Sequence, residues 1–551
     1  MSLFRDTSTV GNQLVFLLTI VAFSLMPMGC EKSSRSNADL STKKSKTLSI
    51  GNGREPVTLD PHKASSWADL RVIEGLFEGL VLLDPVSKEP IGGVADSWES
   101  WNQGKNWRFS IRKDANWSDG SRITAHDFVK SAQRMLGPDF GSDIVVHFLY
   151  PLKNAQAFHQ GQLNDFESVG IVAESDDSLL FELEYSSLAF LTQLSYFFPV
   201  KEEGSIVGHY FDGRYQWGGG GAGVSNGPYL LGSWTTNEQV VIRKNENYWD
   251  ASSVSIDQII FYPIDNSLAE ERAFRSGQLQ ITSKVPSGRM SWYVENRPEL
   301  LRVEPRVGLF FIQLNHSVPP LDNVYVRRAL AKSIDRKLIV GSVLKDGKKP
   351  ASGIAPAEVL DRSNSSASLG YDPGEAQELL KLAGFENGDG FPRLKFAINT
   401  SVAYQALAEA VQYGWKKNLG IEVEIVNQEW KAFLGAIESG DYQIARYGYV
   451  PLYPDPYPLF QIFTTEGTEN FTGWSNSEYD QLVERAKVEI DPDKRDNLFV
   501  EAEKVLLSEA PIIPVFYYNS VYLIDSEVSG WNSDPMDRHP LKFLEYLQEF
   551  N

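Results

Sequence analysis

EWKAFLGAIESG (429–440), DYQIARYGYV (441–450) and PLYPDPYPLF (451–460) form the stretch whose reading decides the fold. Trp430, Phe433, Leu434 and Ile437 recur at helical spacing and Gly440 follows them, which predicts a short amphipathic helix ended by a glycine. Tyr442 to Val450 is rich in aromatic and β-branched residues and reads as a strand. It runs into a loop in which Pro451, Pro454, Pro456 and Pro458 each lack a backbone donor. A strand with such a rim offers an edge suited to pairing with a visiting chain. Its one cation, Arg446, is either a surface ion-pair partner or the group that meets a ligand carboxylate.

A chain of 551 residues exceeds what one core organises and implies about three to four domains or lobes. Its 42% apolar content supports well-packed globular structure. The net charge of −20 argues against nucleic acid as a partner, because a polyanion would be repelled. A single cysteine, Cys30, excludes internal disulfides and cysteine metal clusters.

The position of that cysteine is informative. Leu14 to Met28 is a largely apolar run, too short to span a bilayer as a helix but suited to the core of a signal peptide. Gly29-Cys30 closes it and a polar tract follows. This order resembles a bacterial lipoprotein signal: residues 1–29 are expected to be a signal peptide, Cys30 the lipidated residue and 30–47 a polar tether. Pro27 stands where that pattern prefers leucine. The body is expected in the periplasm or cell envelope, touching the membrane only through its anchor.

Further along, LSIGNG (48–53) reads as a strand and turn, with a short helix at Val72 to Leu80. Phe109 and Ile111 alternate with Ser110 and Arg112 as in a half-buried strand. Asp119-Gly120 predicts a tight turn, and Thr124 with Asp127 a capping box before a helix at Phe128 to Leu136. Leu268 onward reads as helix, glycine cap and strand; Val326 to Leu338 as helix; Tyr404 to Lys417 as a helix leading to a strand at Ile421 to Ile425. PIIPVFYYNSVYLI reads as a buried strand pair. GGGGAG (218–223) is a flexible loop, since no strand-to-helix context or Lys-Ser/Thr pair makes it a phosphate cradle. Gly223-Val224-Ser225-Asn226-Gly227 spells a nucleophile elbow, but Pro228 and a strand follow the serine where an elbow needs a helix. The histidines lack metal-ligand spacing, and Asp491, Asp493 and Asp496 suit a helix N-cap better than a calcium loop. No enzyme, cofactor or metal is expected.

NQEWKAFL (427–434), YQIAR (442–446) and YPDP (453–456) resemble the third domain of the oligopeptide-binding proteins, the family 5 solute-binding receptors of peptide-import ABC transporters. Asp60-Pro61-His62, GVADSWES, NGPYLLGSW, NENYW and the run from Leu309 resemble further landmarks of that family in order, over about residues 48 to 551. The resemblance implies an α/β, two-lobed periplasmic-binding-protein fold (type II, cluster C-like) with an extra domain. Domain I is expected at 48–77 with 205–303 and 520–551, domain II at 78–204 and domain III at 304–519, with crossovers near 303 and 519.

It also implies function. A peptide would lie extended between the lobes, recognised by main-chain hydrogen bonds, and be delivered to the permease of an ABC importer. The walls would be Ser65, Ser66 and Trp67 on one side and Arg446, Tyr447, Gly448 and Tyr449 on the other. Arg446 matches a family arginine that can meet the peptide carboxylate, and Tyr404 stands for a histidine that helps to hold that end. Leu452 stands where the family carries the aspartate that binds the peptide ammonium, and Asp455 either substitutes for it or shapes the turn. An enclosed ammonium without a carboxylate costs about 3–5 kcal/mol, so the expected ligand has a blocked, displaced or neutral amino end. A receptor of the same fold for a nickel chelate, a sugar or another non-peptide solute is the alternative.

Overall fold

The computed structural model describes residues 46–141, 145–201, 209–211, 214–216, 223–361, 363 and 368–547. The leader, Cys30 and the glycine-rich loop up to Ala222 lie outside these residues.

Strand β1 (Thr47–Gly51) leads through Asp60-Pro61-His62 to helix α1 (Trp67–Leu76). The helix begins well before the predicted Val72, and Ser65 to Trp67 is its start and not an extended edge. A capping box causes this: the Asp69 amide donates to Ser66 Oγ at 3.3 Å, and the Ser66 amide donates to Asp69 Oδ2 at 3.1 Å. Asp69 also accepts from the amides of Ser65 (3.3 Å) and Val57 (2.7 Å), so the donors such an edge would offer are already used.

Strands β2 (Ala95–Trp101), β3 (Asn106–Ile111), β4 (Ile171–Ser175) and β5 (Ser178–Glu182) form an antiparallel sheet in the order β2-β3-β5-β4. Its core is aromatic, with Phe109 edge-on to Phe181 at 5.5 Å. Helix α2 (Ala125–Leu136) covers it and starts at the predicted Thr124/Asp127 capping box. The chain then returns to the first sheet as β6 (Tyr229–Thr235), β7 (Gln239–Lys244) and β8 (Gln258–Tyr262), in the order β1-β8-β7-β6. β6 follows Ser225, so no elbow forms. After Gly277 the predicted strand is reduced to single bridges at Ile281.

Three sequence landmarks meet at the buried Glu78. Its carboxylate accepts from Trp249 Nε1 at 2.6 Å and from the Tyr248 hydroxyl, and Asn226 Oδ1 accepts from its amide at 3.1 Å. Lys542 stands 3.7 Å away and supplies the counter-charge. LFEGL, NGPY and NENYW therefore tie the first lobe together.

The third sheet belongs to the other lobe. Its elements are β9 (Leu301–Leu314), α3 (Val324–Lys332), β10 (Lys349–Pro350), β11 (Leu394–Asn399), α4 (Val402–Leu419), β12 (Val423–Gln428), α5 (Trp430–Glu438), β13 (Ile444–Tyr449), α6 (Pro456–Gln461), α7 (Pro492–Glu509) and β14 (Ile512–Leu523). The strand order is β10-β14-β9-β13-β11-β12. PIIPVFYYNSVYL is thus one long strand, not a pair. The loop expected at Pro456 and Pro458 is the short helix α6, because Asp455 caps it and prolines in a first turn forfeit no intrahelical bond. α3 stops at Lys332, and Leu338, expected on its buried face, is exposed.

β9 and β14 pair across both expected crossovers, Val303 opposite Val521 and Pro305 opposite Asn519. Pairing resumes at Leu309 opposite Tyr517, so Arg306, Val307 and Gly308 bulge opposite Tyr518 alone. The lobes also meet through apolar packing: Tyr453 and Leu452 lie against the core of the second sheet, Tyr453 being 6.4 Å from the ring of Phe148.

Candidate ligand cleft

β13 pairs with β9 along its full length but with β11 only through Ile444 and Ala445. From Arg446 to Tyr449 the side of the strand facing away from β9 has no strand partner. Gly448 and Tyr449 of this stretch border a cavity of about 880 Å³, in the size range of small-molecule sites. Gly448, Tyr449 and Leu452 line it from one lobe, and Tyr150, Tyr185 and Gln193 from the other.

Arg446 is 6% exposed. Its guanidinium lies over Tyr404 at 4.5 Å, Phe433 at 4.8 Å and Trp430 at 5.4 Å, and Nη2 donates to Asn399 Oδ1. Nε is buried without an acceptor, and no carboxylate among the described residues pairs with the group. Burial accordingly pulls its pKa down. Helical spacing on α5 and the start of α4 builds the aromatic cage.

A second cation was not apparent in the sequence. Arg306, aimed by the bulge, stacks on Trp67 at 4.7 Å, and its buried Nε also lacks an acceptor. Burial lowers its pKa too, and the nearest counter-charge, Asp537, is engaged by Arg71 and His539 at 3.4 Å each. Tyr518 stands between the two arginines: both guanidiniums act on its hydroxyl, which burial otherwise keeps protonated. A Cβ at Gly448 would come within 2.2 Å of that hydroxyl, so only glycine lets the tyrosine reach the strand edge.

The predicted residues therefore separate. Tyr404, Arg446 and Gly448 gather around Tyr518, and Trp67 joins them through Arg306. Gly448, Tyr449 and Leu452 share the cavity. Tyr447 points to the opposite face of the sheet, packs edge-on to Phe471 at 5.8 Å and donates to Glu469 Oε2 at 3.0 Å. Ser65 and Ser66 serve the α1 cap. Asp455 is removed from ligand chemistry: it caps α6, and both its oxygens accept from Arg495, at 2.8 and 2.9 Å, in a buried bidentate pair. Sequence reasoning also missed Glu469, which lines the cavity. No local signal marks these residues, because Arg306, Tyr518 and Glu469 come from segments far apart in the chain.

The other candidates are structural. His62 sits in the joint between the first two sheets: Arg134 grips Asp60 at 2.6 and 3.1 Å and donates to His62 Nδ1 at 2.8 Å, while Nε2 reaches the Phe198 carbonyl at 2.9 Å. Asp491 caps α7. Among the described residues no acidic, histidine or cysteine group is arranged to hold a metal ion, and no helix is long and apolar enough to cross a membrane.

Comparison with known proteins gives a consistent result. Residues 89–471 match the family described as bacterial extracellular solute-binding proteins, family 5 middle. The oligopeptide-binding protein OppA of Bacillus subtilis is 31% identical over 540 residues, covering 95% of this chain and 96% of that one. The probable deoxycholate-binding periplasmic protein YgiS of Escherichia coli is also 31% identical, over 87% of this chain and 89% of its own. Among solved structures, Haemophilus influenzae OppA in complex with the peptide RPPGFSPFR superposes with a TM-score of 0.75 at 26% identity, covering 92% and 99% of the two chains. With a shared two-lobed architecture and similarity over nearly the whole length, the chain belongs to the bacterial extracellular solute-binding proteins of family 5.

Proposed function

We propose that this protein is an extracytoplasmic receptor that encloses a short oligopeptide between its lobes and passes it to an ABC importer. One observation carries the reading: β13 from Arg446 to Tyr449 keeps an open edge beside a cavity lined by both lobes. Main-chain groups on that edge recognise a peptide of any sequence, since every residue offers the same donor and acceptor. Arg446, desolvated and without a carboxylate, meets the peptide's C-terminal carboxylate, with Tyr404, Tyr518 and Arg306 around it. Contacts to both walls exist only when the lobes are together, so ligand favours the closed arrangement.

The protein binds and releases without bond-breaking. The division into domain I (48–77, 205–303, 520–551), domain II (78–204) and domain III (304–519) is supported by the sheets, each of which falls largely within one domain. A lipid on Cys30 holds the body at the cell envelope. Native mass spectrometry of the purified mature protein tests the function: retained masses are expected to be peptides. A non-peptide ligand would favour the second reading, a receptor for another solute, which Leu452 and the similarity to a protein named as deoxycholate-binding support.

A further inference from the structure

The cavity that Leu452 borders also carries acidic side chains from other segments. Its charged lining consists of Glu184, Glu469 and Lys487, with His147 at its far side. Glu184 is solvent-exposed and accepts from the Asn154 amide at 3.4 Å. Lys487 already has partners: it lies 3.6 Å from Glu484 and over the Tyr185 ring at 4.6 Å. Glu469 differs from both. It is partly buried, its side chain accepts from the neutral Tyr447 hydroxyl at 3.0 Å, and among the described residues no cation pairs with it. A carboxylate removed from water and given a single neutral donor retains lone pairs that a cation can satisfy.

Its place along the strand completes the case. Tyr447, which holds Glu469, precedes Gly448 and Tyr449, and these line the cavity together with Glu469 and Leu452. Arg446 stands at the start of the same open edge. A peptide extended along it with its carboxylate at Arg446 brings its other end toward Leu452 and Glu469. Leu452 carries no ionisable group and packs on the core of the second sheet, and Asp455 is held by Arg495.

We propose that Glu469 receives the α-ammonium group of a bound peptide, replacing an acidic side chain at position 452. The proposal rests on the peptide reading above and reverses the expectation of a blocked amino end. The loop carrying Glu469 supplies the charge from a different segment, which frees position 452 for apolar contact between the lobes.

The test is a competition read by native mass spectrometry. The native protein, stripped of ligand, is offered equal amounts of a randomised tri- to pentapeptide pool with free amines and the same pool N-acetylated. Free-amine peptides are expected to be retained at least about tenfold over acetylated ones. Glu469→Gln keeps an acceptor for the Tyr447 hydroxyl and is expected to bind both pools about equally; Glu469→Asp, which keeps the charge, is expected to retain the bias. A full bias in Glu469→Gln, or no bias in the native protein, overturns the assignment of Glu469. Retention of neither pool by the native protein overturns the peptide reading itself and the assignment with it.

Discussion

The two ends of the open strand edge solve opposite problems. At Arg446 the fold concentrates positive charge, two desolvated guanidiniums with unfilled donors around one tyrosine, and among the described residues no carboxylate pairs with either. Beyond Tyr449 the cavity presents the apolar Leu452 and a partly buried acid, Glu469, which comes from another loop. Asp455 shows what a satisfied acid looks like in the same neighbourhood: it is fully paired with Arg495. An under-satisfied, partly buried charge is costly to the unliganded protein, so Glu469 and Asp455 are expected to respond differently to substitution.

Asp455→Ala should produce the largest change in stability, a loss of about 3–5 kcal/mol in chemical denaturation, because it strands Arg495 in the interior and uncaps α6. Glu469→Gln should leave the denaturation midpoint almost unmoved; a large shift there would erase the contrast between the two acids. Arg446→Gln should weaken binding of peptides with a free carboxylate about a hundredfold or more while C-terminally amidated peptides lose little, as read by isothermal titration.

The acid limit distinguishes the ends further. Burial raises the pKa of Glu469 above the ordinary 4.5, against the opposing Tyr447 hydrogen bond. The groups facing it, the Tyr447 and Tyr449 hydroxyls, are kept neutral by burial, while Glu184 and Lys487 stand on the cavity lining. The preference for free amines should therefore fade as pH falls through that raised value, and the preference for free carboxylates should persist until the peptide carboxylate itself titrates. Stability must be tracked in the same titration. Burial and Arg134 depress the His62 pKa from 6.5 to about 4, so the unfolded chain binds the extra proton first. The associated stability, about 3 kcal/mol as an upper estimate, is intact above pH 6.5 and is lost as pH falls toward 4.

The smallest expected effect is at Arg306. Arg306→Gln should cost about two- to tenfold in affinity for free-carboxylate peptides, since Arg446 remains, and the loss should shrink at high salt because Arg306 is the more exposed of the two. An equal loss for amidated peptides would show that it acts on Trp67 packing alone.

Much of this molecule was legible in the chain. Apolar spacing located α4 and α5, the Thr124/Asp127 box located α2, and the motif order implied the two lobes, because these signals act between residues a turn or a strand apart. The same rules, applied more fully, would have found the Ser66/Asp69 box and moved α1 forward to Trp67. Other features lay beyond local reading. That β13 is open from Arg446 onward depends on β11 leaving it after Ala397; that Asp455 is consumed depends on an arginine in α7; and Arg306, Tyr518 and Glu469 join the cleft only because a bulge and a loop bring them there. Periodicity and capping are properties of neighbouring residues, so sequence alone determined most of the elements and the family. Which charges remain unpaired depends on contacts between distant segments, and only the tertiary structure decided that.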